Sequence, residues 1–217
     1  VIPHGRGLGS SASAIVGGLT LARSLVLTGE QYMSDEDLIT LATELEGHPD
    51  NVAAAFYGGA TIAWLESKIN SEGESSNVGR AVSLKVDDRI KALLLVPENQ
   101  LSTAKARKLL PESISHQDAV LNSSRTALLV HALAERPDLL FTATEDLLHQ
   151  KYREEAMPKS IALVEKLRGA GLAAVVSGAG PSVMVLYSGA EDEIDQIQSV
   201  SPGFTAMKLA IAKTGVQ

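Results

Sequence analysis

The sequence contains no cysteine among its 217 residues. Disulfide bonds, thiolate metal ligands and cysteine nucleophiles are therefore excluded. Positive charge is scarce relative to negative charge, since 19 Lys and Arg residues face 26 Asp and Glu residues, for a formal net charge of −7. A chain with this charge is not expected to hold nucleic acid or anionic lipid through nonspecific electrostatic contacts.

Long hydrophobic runs are missing as well. The longest apolar stretch, residues 12–27, is interrupted by Gly, Ser, Thr and Arg and does not predict a transmembrane helix. Residues 1–4 show neither the basic region nor the cleavage site of a signal peptide. We therefore expect a cytoplasmic location and no membrane partner.

Helices and short strands are mixed along the chain. Apolar and small residues over 10–27 predict a buried helix, and Ser34 followed by three acidic residues predicts a capped helix that ends at Gly47. Further helices are predicted at 51–57, 102–110, 116–135, 137–150, 158–169 and 190–199, and strands at 60–65, 81–86, 91–96, 172–177, 183–187 and 204–212. The polar segment 67–80 predicts a loop. Without a regular βα alternation, this order predicts an α+β fold with a domain boundary near residue 87.

A glycine-rich segment before the first predicted helix is the strongest functional signal. It comprises Pro3, His4, Gly5, Arg6, Gly7, Leu8, Gly9, Ser10, Ser11, Ala12 and Ser13. Glycines let the backbone approach a ligand closely, and a helix start offers unpaired N–H groups to an anion. The segment lacks the Lys of a Walker A loop and the glycine spacing of a dinucleotide fingerprint. It predicts a cradle for a polyphosphate, the alternative being a glycine-rich turn before an ordinary helix.

A second cluster of polar residues follows the end of the next predicted helix. It contains Glu44, Glu46, His48, Asp50 and Asn51. Carboxylates can bind Mg²⁺, and an aspartate can orient an alcohol. The alternative is that the glutamates are solvated helix charges and that Asp50 caps the following helix.

Two further segments carry candidate binding residues. Thr103 and Arg107 are four residues apart and are predicted to share one face of a short helix, where an arginine can bind a carboxylate bidentately. Gly178 lies in Val-Ser-Gly-Ala-Gly-Pro-Ser, residues 176–182, whose glycines allow a tight turn with bare backbone against a ligand. The alternatives are a surface helix with scattered charges and a simple hairpin turn, and Arg153 alone would pass as a surface residue.

Together these motifs resemble those of the GHMP kinases, which phosphorylate small hydroxyl compounds such as galactose, homoserine and mevalonate. The segment Glu-Gly-His-Pro-Asp-Asn-Val at 46–52 and the Ser-Thr-x-x-Ala-Arg-x-x-Leu-Pro-like segment at 102–111 are similar to the homoserine kinases in particular. The resemblance implies a two-domain fold, with part of a ribosomal protein S5 domain 2-like ATP-binding domain at 1–87 and a ferredoxin-like domain at 88–217. It also implies that roughly ninety further residues precede Val1 in the complete protein.

The resemblance further implies a reaction, transfer of the γ-phosphate of ATP to the hydroxyl of L-homoserine in threonine biosynthesis. By position, residues 3–13 would bind the phosphates, Ser11 with Glu46 or Glu44 would bind Mg²⁺, and Asp50 would be the catalytic residue. Substrate contacts would come from His48, Asp50, Asn51, Thr103, Arg107, Arg153 and Gly178. A homodimer is expected because the family is often dimeric. The alternatives are another GHMP kinase and a catalytically silent ligand-binding relative.

Overall fold

The computed structural model describes residues 2–69, 75–189, 194, 197 and 201–216. The chain divides into two compact units. Unit 1 comprises Val1–Leu8 and Val86–Ile211, and unit 2 comprises Gly9–Lys85 and Ala212–Gln217. The domain limits 1–87 and 88–217 remain a prediction.

Unit 2 contains helices packed against a two-stranded antiparallel sheet. The helices are α1 (Ser10–Leu25), α2 (Gly29–Tyr32), α3 (Asp35–Glu46) and α4 (Asp50–Tyr57), and the strands are β1 (Ala60–Ile69) and β2 (Ser75–Leu84). Helices α1, α3 and α4 meet in an apolar cluster of Ala12, Val16, Leu38, Ile39, Ala42, Val52 and Phe56. This cluster fixes the start of α1 and the end of α3 within one core.

The ends of α3 are set by local chemistry, as the sequence predicts. The Ser34 hydroxyl accepts a hydrogen bond from the Asp37 N–H, and the Asp37 carboxylate accepts one from the Ser34 N–H. These reciprocal bonds form a capping box. Gly47 ends the helix in the left-handed conformation, with φ of 90°. The helix therefore stops at Glu46, directly before the polar cluster.

The predicted loop at 67–80 is wrong over its described residues. Strand β1 continues to Ile69 and β2 begins at Ser75, with Ile69 paired to Ser75 and Ala60 to Leu84. Ser, Asn and charged side chains are tolerated here because an antiparallel sheet can expose one face to water. Residues 70–74 lie outside the described part of the chain.

Unit 1 is built on a four-stranded antiparallel sheet in the order β4-β5-β3-β6. The strands are β3 (Lys91–Pro97), β4 (Ala173–Val176), β5 (Val183–Tyr187) and β6 (Phe204–Ala210). The α-helices are α5 (Thr103–Lys108), α6 (His116–Ala134), α7 (Leu140–Ala143) and α8 (Pro158–Gly169), with 3₁₀ turns at Pro137–Leu139 and Lys151–Ala156. Helix α8 packs on the sheet in a buried cluster that includes Leu93, Leu95, Leu163, Leu167 and Val185. The turn between β4 and β5, residues 177–182, is thereby held at one end of the sheet.

The predicted single helix at 137–150 is wrong. The Asp146 carboxylate accepts hydrogen bonds from the N–H groups of Leu148, His149 and Gln150, which the backbone carbonyls of a helix would otherwise bind. The segment is instead a 3₁₀ turn, the short α7 and a bend. The predicted helix at 190–199 falls outside the described residues except for Ile194 and Ile197.

The remaining predicted helices, and the strands of unit 1, are confirmed to within a few residues, so the α+β class is confirmed. Helix α2 was not expected from the sequence. Among the residues that the structure describes, none of the helices combines the length and apolar character needed to span a bilayer.

Candidate active site

The first part of the glycine-rich loop lies against the 177–182 turn of unit 1. The Ser177 hydroxyl donates to the carbonyl of Gly7 at 2.9 Å. Gly7 has φ of +73°, and a Cβ placed on it would lie 2.1 Å from the Ser177 carbonyl oxygen. A second hydrogen bond stabilises the turn, because the Ser160 hydroxyl donates to the Pro181 carbonyl at 2.5 Å. Close backbone approach therefore requires glycine at position 7.

Three successive carbonyls of the loop accept hydrogen bonds from other segments of unit 1. The Gly5 carbonyl accepts from the Leu101 N–H at 2.9 Å, and the Arg6 carbonyl accepts from the Ser182 N–H at 3.4 Å. With the Gly7 bond, this fixes three consecutive peptide planes. In a trans peptide the N–H of the next residue points opposite to the carbonyl, so the amides of Arg6, Gly7 and Leu8 point away from these partners.

These three amides have no hydrogen-bond partner within the described part of the chain. Positive φ values at Gly5 and Gly7 alternate with ordinary values at Arg6 and Leu8. Such alternation is typical of a nest, a concavity in which successive N–H groups bind an anion. The loop can therefore hold phosphate through its backbone.

The side chain of Arg6 takes a different direction. Its Nε donates to the Pro97 carbonyl at 2.9 Å, its Nη2 to the Glu98 carbonyl at 2.7 Å and its Nη1 to the His4 carbonyl at 3.2 Å. Pro97 and Glu98 are at the C-terminal end of β3. The guanidinium is thus engaged by backbone carbonyls of unit 1.

The second part of the loop is the start of α1 in unit 2. Gly9 is the N-cap, with φ of 65°, and as a glycine it offers no side chain to cap the first amides. The Ser13 N–H donates to the Gly9 carbonyl, and Ala12 is fully buried in the core. Ala12 and Ser13 therefore belong to α1. The first turn of this helix also carries the Ser11 hydroxyl.

Ser11 faces Glu46 within unit 2. The Ser11 hydroxyl donates to Glu46 Oε2 at 2.7 Å, and the Glu46 side chain is only 12% exposed. Glu44, by contrast, is exposed on α3. This geometry favours Glu46 over Glu44 as the carboxylate associated with the loop.

The oxygen atoms of Ser11 and Glu46 fit a magnesium ion. Mg²⁺ prefers oxygen ligands and is commonly held by one or two carboxylates together with substrate phosphates and water. Within the described residues there is no cluster of three or more His, Cys, Asp or Glu side chains arranged around a metal. A magnesium ion here would therefore depend on phosphate oxygens for the rest of its coordination.

The chain that follows Glu46, at the end of α3, carries His48, Asp50 and Asn51. His48 Nδ1 contacts Asp50 Oδ1, and the same oxygen accepts from the Asn51 N–H at 2.6 Å. Asp50 opens α4, its side chain is 69% exposed, and the Asn51 amide lies next to Gly9. The Asp50 carboxylate is thus oriented by two neighbours and accessible to a hydroxyl group.

The two candidate arginines of unit 1 differ in burial. Arg107 is exposed on α5, which also carries Thr103. Arg153 is only 7% exposed, and its Nη1 donates to the Gly178 carbonyl at 3.1 Å. Its Nε is buried without a hydrogen-bond partner among the described residues. A buried cation with an unsatisfied donor is costly unless an anion pairs with it.

The charge environment of Arg153 also favours an anion. Burial lowers the pKa of Arg153, the negative charge of Asp146 opposes this, and the positive charge of Arg107 lowers the pKa further. Two guanidinium groups that repel each other are both stabilised when a carboxylate binds them. This part of unit 1 therefore fits a carboxylate ligand.

Comparison with known proteins places these features in a family. The GHMP kinases N terminal domain matches residues 1–59, and the GHMP kinases C terminal domain matches residues 124–201. A homoserine kinase of Streptomyces avermitilis is 46% identical over 99% of this chain, which spans 67% of that protein. The homoserine kinase of Streptomyces coelicolor is 47% identical over 99% of this chain and is spanned to 66% of its length.

The chain belongs to the homoserine kinase family of the GHMP kinases. It spans about two thirds of the length of these relatives. The crystal structure of a homoserine kinase from Cytophaga hutchinsonii matches with a TM-score of 0.76 at 24% identity, covering 99% of this chain and 69% of the other. The predicted GHMP kinase fold is therefore confirmed.

Sequence reasoning missed residues that brace the homoserine kinase motifs. Ser177 holds the loop, and Asp146 and Gln150 hold the segment before Arg153. The Gln150 Oε1 accepts from the Val176 N–H at 2.7 Å, which joins this segment to the end of β4. An aspartate that can cap the next few amides was the available signal for Asp146. No local pattern identifies Gln150, because its partner is 26 residues away.

Asp146 is expected to contribute to stability in a pH-dependent way. Burial raises its pKa, but hydrogen bonds from the His149 side chain and the Gln150 and His149 N–H groups outweigh burial and lower the pKa to about 2. Because the folded pKa lies below the ordinary value of 3.8, this stabilisation is present above about pH 4 and is lost as pH falls towards 2.

We predict that Asp146→Asn lowers the free energy of unfolding by about 2 kcal/mol at pH 7. Urea unfolding at pH 7 and at pH 3 measures the effect. The difference between variant and wild type should shrink at pH 3, because the wild-type carboxylate then loses part of its advantage. A difference that is equal at both pH values would contradict the role of the charge.

Proposed function

We propose that the complete protein is a homoserine kinase, which transfers the γ-phosphoryl group of ATP to the hydroxyl of L-homoserine and yields O-phospho-L-homoserine. Identity of 46–47% with homoserine kinases supports the reaction class. The observation that carries the substrate assignment is the buried Arg153, whose unpartnered Nε lies in a region that Arg107 makes more positive. An amino-acid substrate supplies a carboxylate that can pair with both guanidinium groups.

Binding of ATP is assigned to the loop backbone. The carbonyls of residues 5–7 are hydrogen-bonded within unit 1, which leaves the amides of residues 6–8 for phosphate oxygens. Phosphoryl transfer depends mainly on positioning and on offsetting charge at the γ-phosphoryl oxygens. Fixed amides suit this task because they need no reorganisation during the reaction.

Ser11 and Glu46 are the residues that would hold Mg²⁺. The ion, when bound, supplies charge neutralisation of the phosphates. The Ser11 hydroxyl donates to the Glu46 carboxylate, which keeps both groups in place. We therefore expect Glu46→Ala to lower the kinase activity more than Glu44→Ala.

Asp50 is assigned to the substrate hydroxyl. Its exposed carboxylate accepts hydrogen bonds, and contacts with His48 and the Asn51 N–H fix its direction. Accepting a hydrogen bond from the attacking hydroxyl orients the oxygen for in-line attack on phosphorus. His48 acts through Asp50 in this assignment and holds it in place.

The proposal also covers location and assembly. It includes a cytoplasmic homodimer with ATP and L-homoserine as substrates and no nucleic acid or membrane partner. The negative net charge supports the absence of a nucleic acid or anionic membrane partner. Light scattering on the purified protein would measure the assembly state directly.

An ADP-release assay tests the function on protein expressed from the complete gene. It uses ATP, Mg²⁺ and a panel of L-homoserine, L-serine, L-threonine, mevalonate and galactose. We expect turnover with L-homoserine well above the other alcohols. Preference for galactose, which has no carboxylate, would keep the kinase class but reject the carboxylate site. Preference for mevalonate, which has a carboxylate, would keep the kinase class and reject L-homoserine as the substrate. The absence of ADP release with every compound would reject the kinase proposal.

A further inference from the structure

We propose that Arg6 is a positioning residue, which fixes the phosphate loop to the end of β3 and does not itself bind phosphate. Its importance for catalysis rests on the proposed kinase function. The tether, however, is a property of unit 1 that can be measured without turnover. An arginine within a phosphate-binding loop would ordinarily be assigned to the phosphates because its fork geometry matches them.

The contacts of the Arg6 side chain carry the proposal. All three guanidinium nitrogens donate to backbone carbonyls, those of Pro97, Glu98 and His4, at 2.7–3.2 Å. Carbonyls at a strand end need donors outside the strand ladder, and a guanidinium is a rigid multiple donor. To reach a phosphate, the side chain would have to break the three hydrogen bonds that its planar guanidinium forms with these carbonyls.

The backbone of the same residue shows what the tether achieves. The Arg6 carbonyl faces the Ser182 N–H, and the neighbouring Gly5 and Gly7 carbonyls are also bonded to unit 1. Side chain and carbonyl of Arg6 therefore both attach to unit 1, while the N–H groups of Arg6 and Gly7 are turned the other way. Without the Arg6 side-chain bonds, the nest would be held only by the hydrogen bonds that the Gly5, Arg6 and Gly7 carbonyls accept. The bond to the Arg6 carbonyl is long, at 3.4 Å.

Two variants separate shape from charge. Arg6→Lys keeps the positive charge but loses the fork, and Arg6→Gln loses both. If Arg6 positions the loop, both variants should raise the KM for ATP and the Kd for ADP with Mg²⁺ by about tenfold to a hundredfold. The KM for L-homoserine should stay unchanged. Arg136→Lys is the matched control, because Arg136 is an exposed arginine whose guanidinium donates to Asp138, two residues further along the chain.

Amide hydrogen exchange in the absence of nucleotide gives the readout that a phosphate ligand would not move. We expect faster exchange in both variants at the Leu101 and Ser182 amides, which donate to the Gly5 and Arg6 carbonyls of the loop, and unchanged exchange in β3 and α8, which report global folding. Near-wild-type nucleotide affinity in Arg6→Lys with a loss only in Arg6→Gln would overturn the proposal, as would unchanged exchange at the Leu101 and Ser182 amides. A loosened loop with weaker ADP binding in a protein inactive on L-homoserine would keep the proposal and reject the kinase function.

Discussion

We expect Gly7→Ala to eliminate productive ATP binding while leaving the protein folded. A Cβ at this position would lie 2.1 Å from the Ser177 carbonyl oxygen and 2.8 Å from the Gly180 N and O atoms. These are backbone atoms and cannot rotate away as a flexible side chain could. The φ of +73° adds strain, because residues with a Cβ rarely adopt it.

The loop must therefore move away from the 177–182 turn in Gly7→Ala. Such movement breaks the Ser177 bond to the Gly7 carbonyl and turns the neighbouring amides out of the nest. Since a displacement of about 1 Å costs on the order of a hundredfold in rate, we expect kcat/KM for ATP to fall at least that far. Steady-state ADP release and calorimetric titration of ADP with Mg²⁺ measure the effect.

Gly169→Ala is the matched control. Gly169 is the last residue of α8, its φ is not positive, and open space surrounds the position of an added Cβ. The same chemical change should leave activity intact and raise the melting temperature slightly, because alanine is the better helix former. Wild-type affinity for ADP in Gly7→Ala would show that the loop does not need the close approach.

The loop was predictable from the sequence because its chemistry is local. Alternating glycines specify positive φ values over a few residues, and a nest needs little else. Helix α3 was predictable for the same reason, since Ser34, Asp37 and Gly47 set its ends through neighbouring atoms. The α+β class then followed from the order of such elements.

What the sequence could not reveal depends on contacts between distant residues. Arg6 bonds to carbonyls 91 and 92 residues further along the chain, and Ser177 reaches back 170 residues to Gly7. The predicted loop is wrong at residues 67–69 and 75–80 because pairing between the two segments, and not their composition, makes them strands. The roles of Asp50, Arg107 and the other site residues remain predictions that activity measurements must test.

We expect Arg107→Ala to raise the KM for L-homoserine by about tenfold to a hundredfold, because losing a charged hydrogen-bonding partner costs about 1.5–3 kcal/mol. The KM for ATP should change little. Arg107 is exposed, so the substitution should not lower stability. Lys105→Ala is the matched control, since it removes the same charge from the same short helix at a position two residues away, which faces another direction.

The carboxylate itself can be removed to decide what Arg107 binds. The substrate analogue 3-aminopropan-1-ol keeps the amine and the hydroxyl of L-homoserine but has no carboxylate. Wild type should use it poorly, and Arg107→Ala should use it no worse than wild type, since there is no interaction left to lose. If the substitution weakens the binding of both compounds equally, Arg107 does not recognise the carboxylate.

Arg153→Lys should follow the same pattern and lose affinity only for L-homoserine. A lysine keeps the charge but cannot bind both the Gly178 carbonyl and a carboxylate in the fork geometry of an arginine.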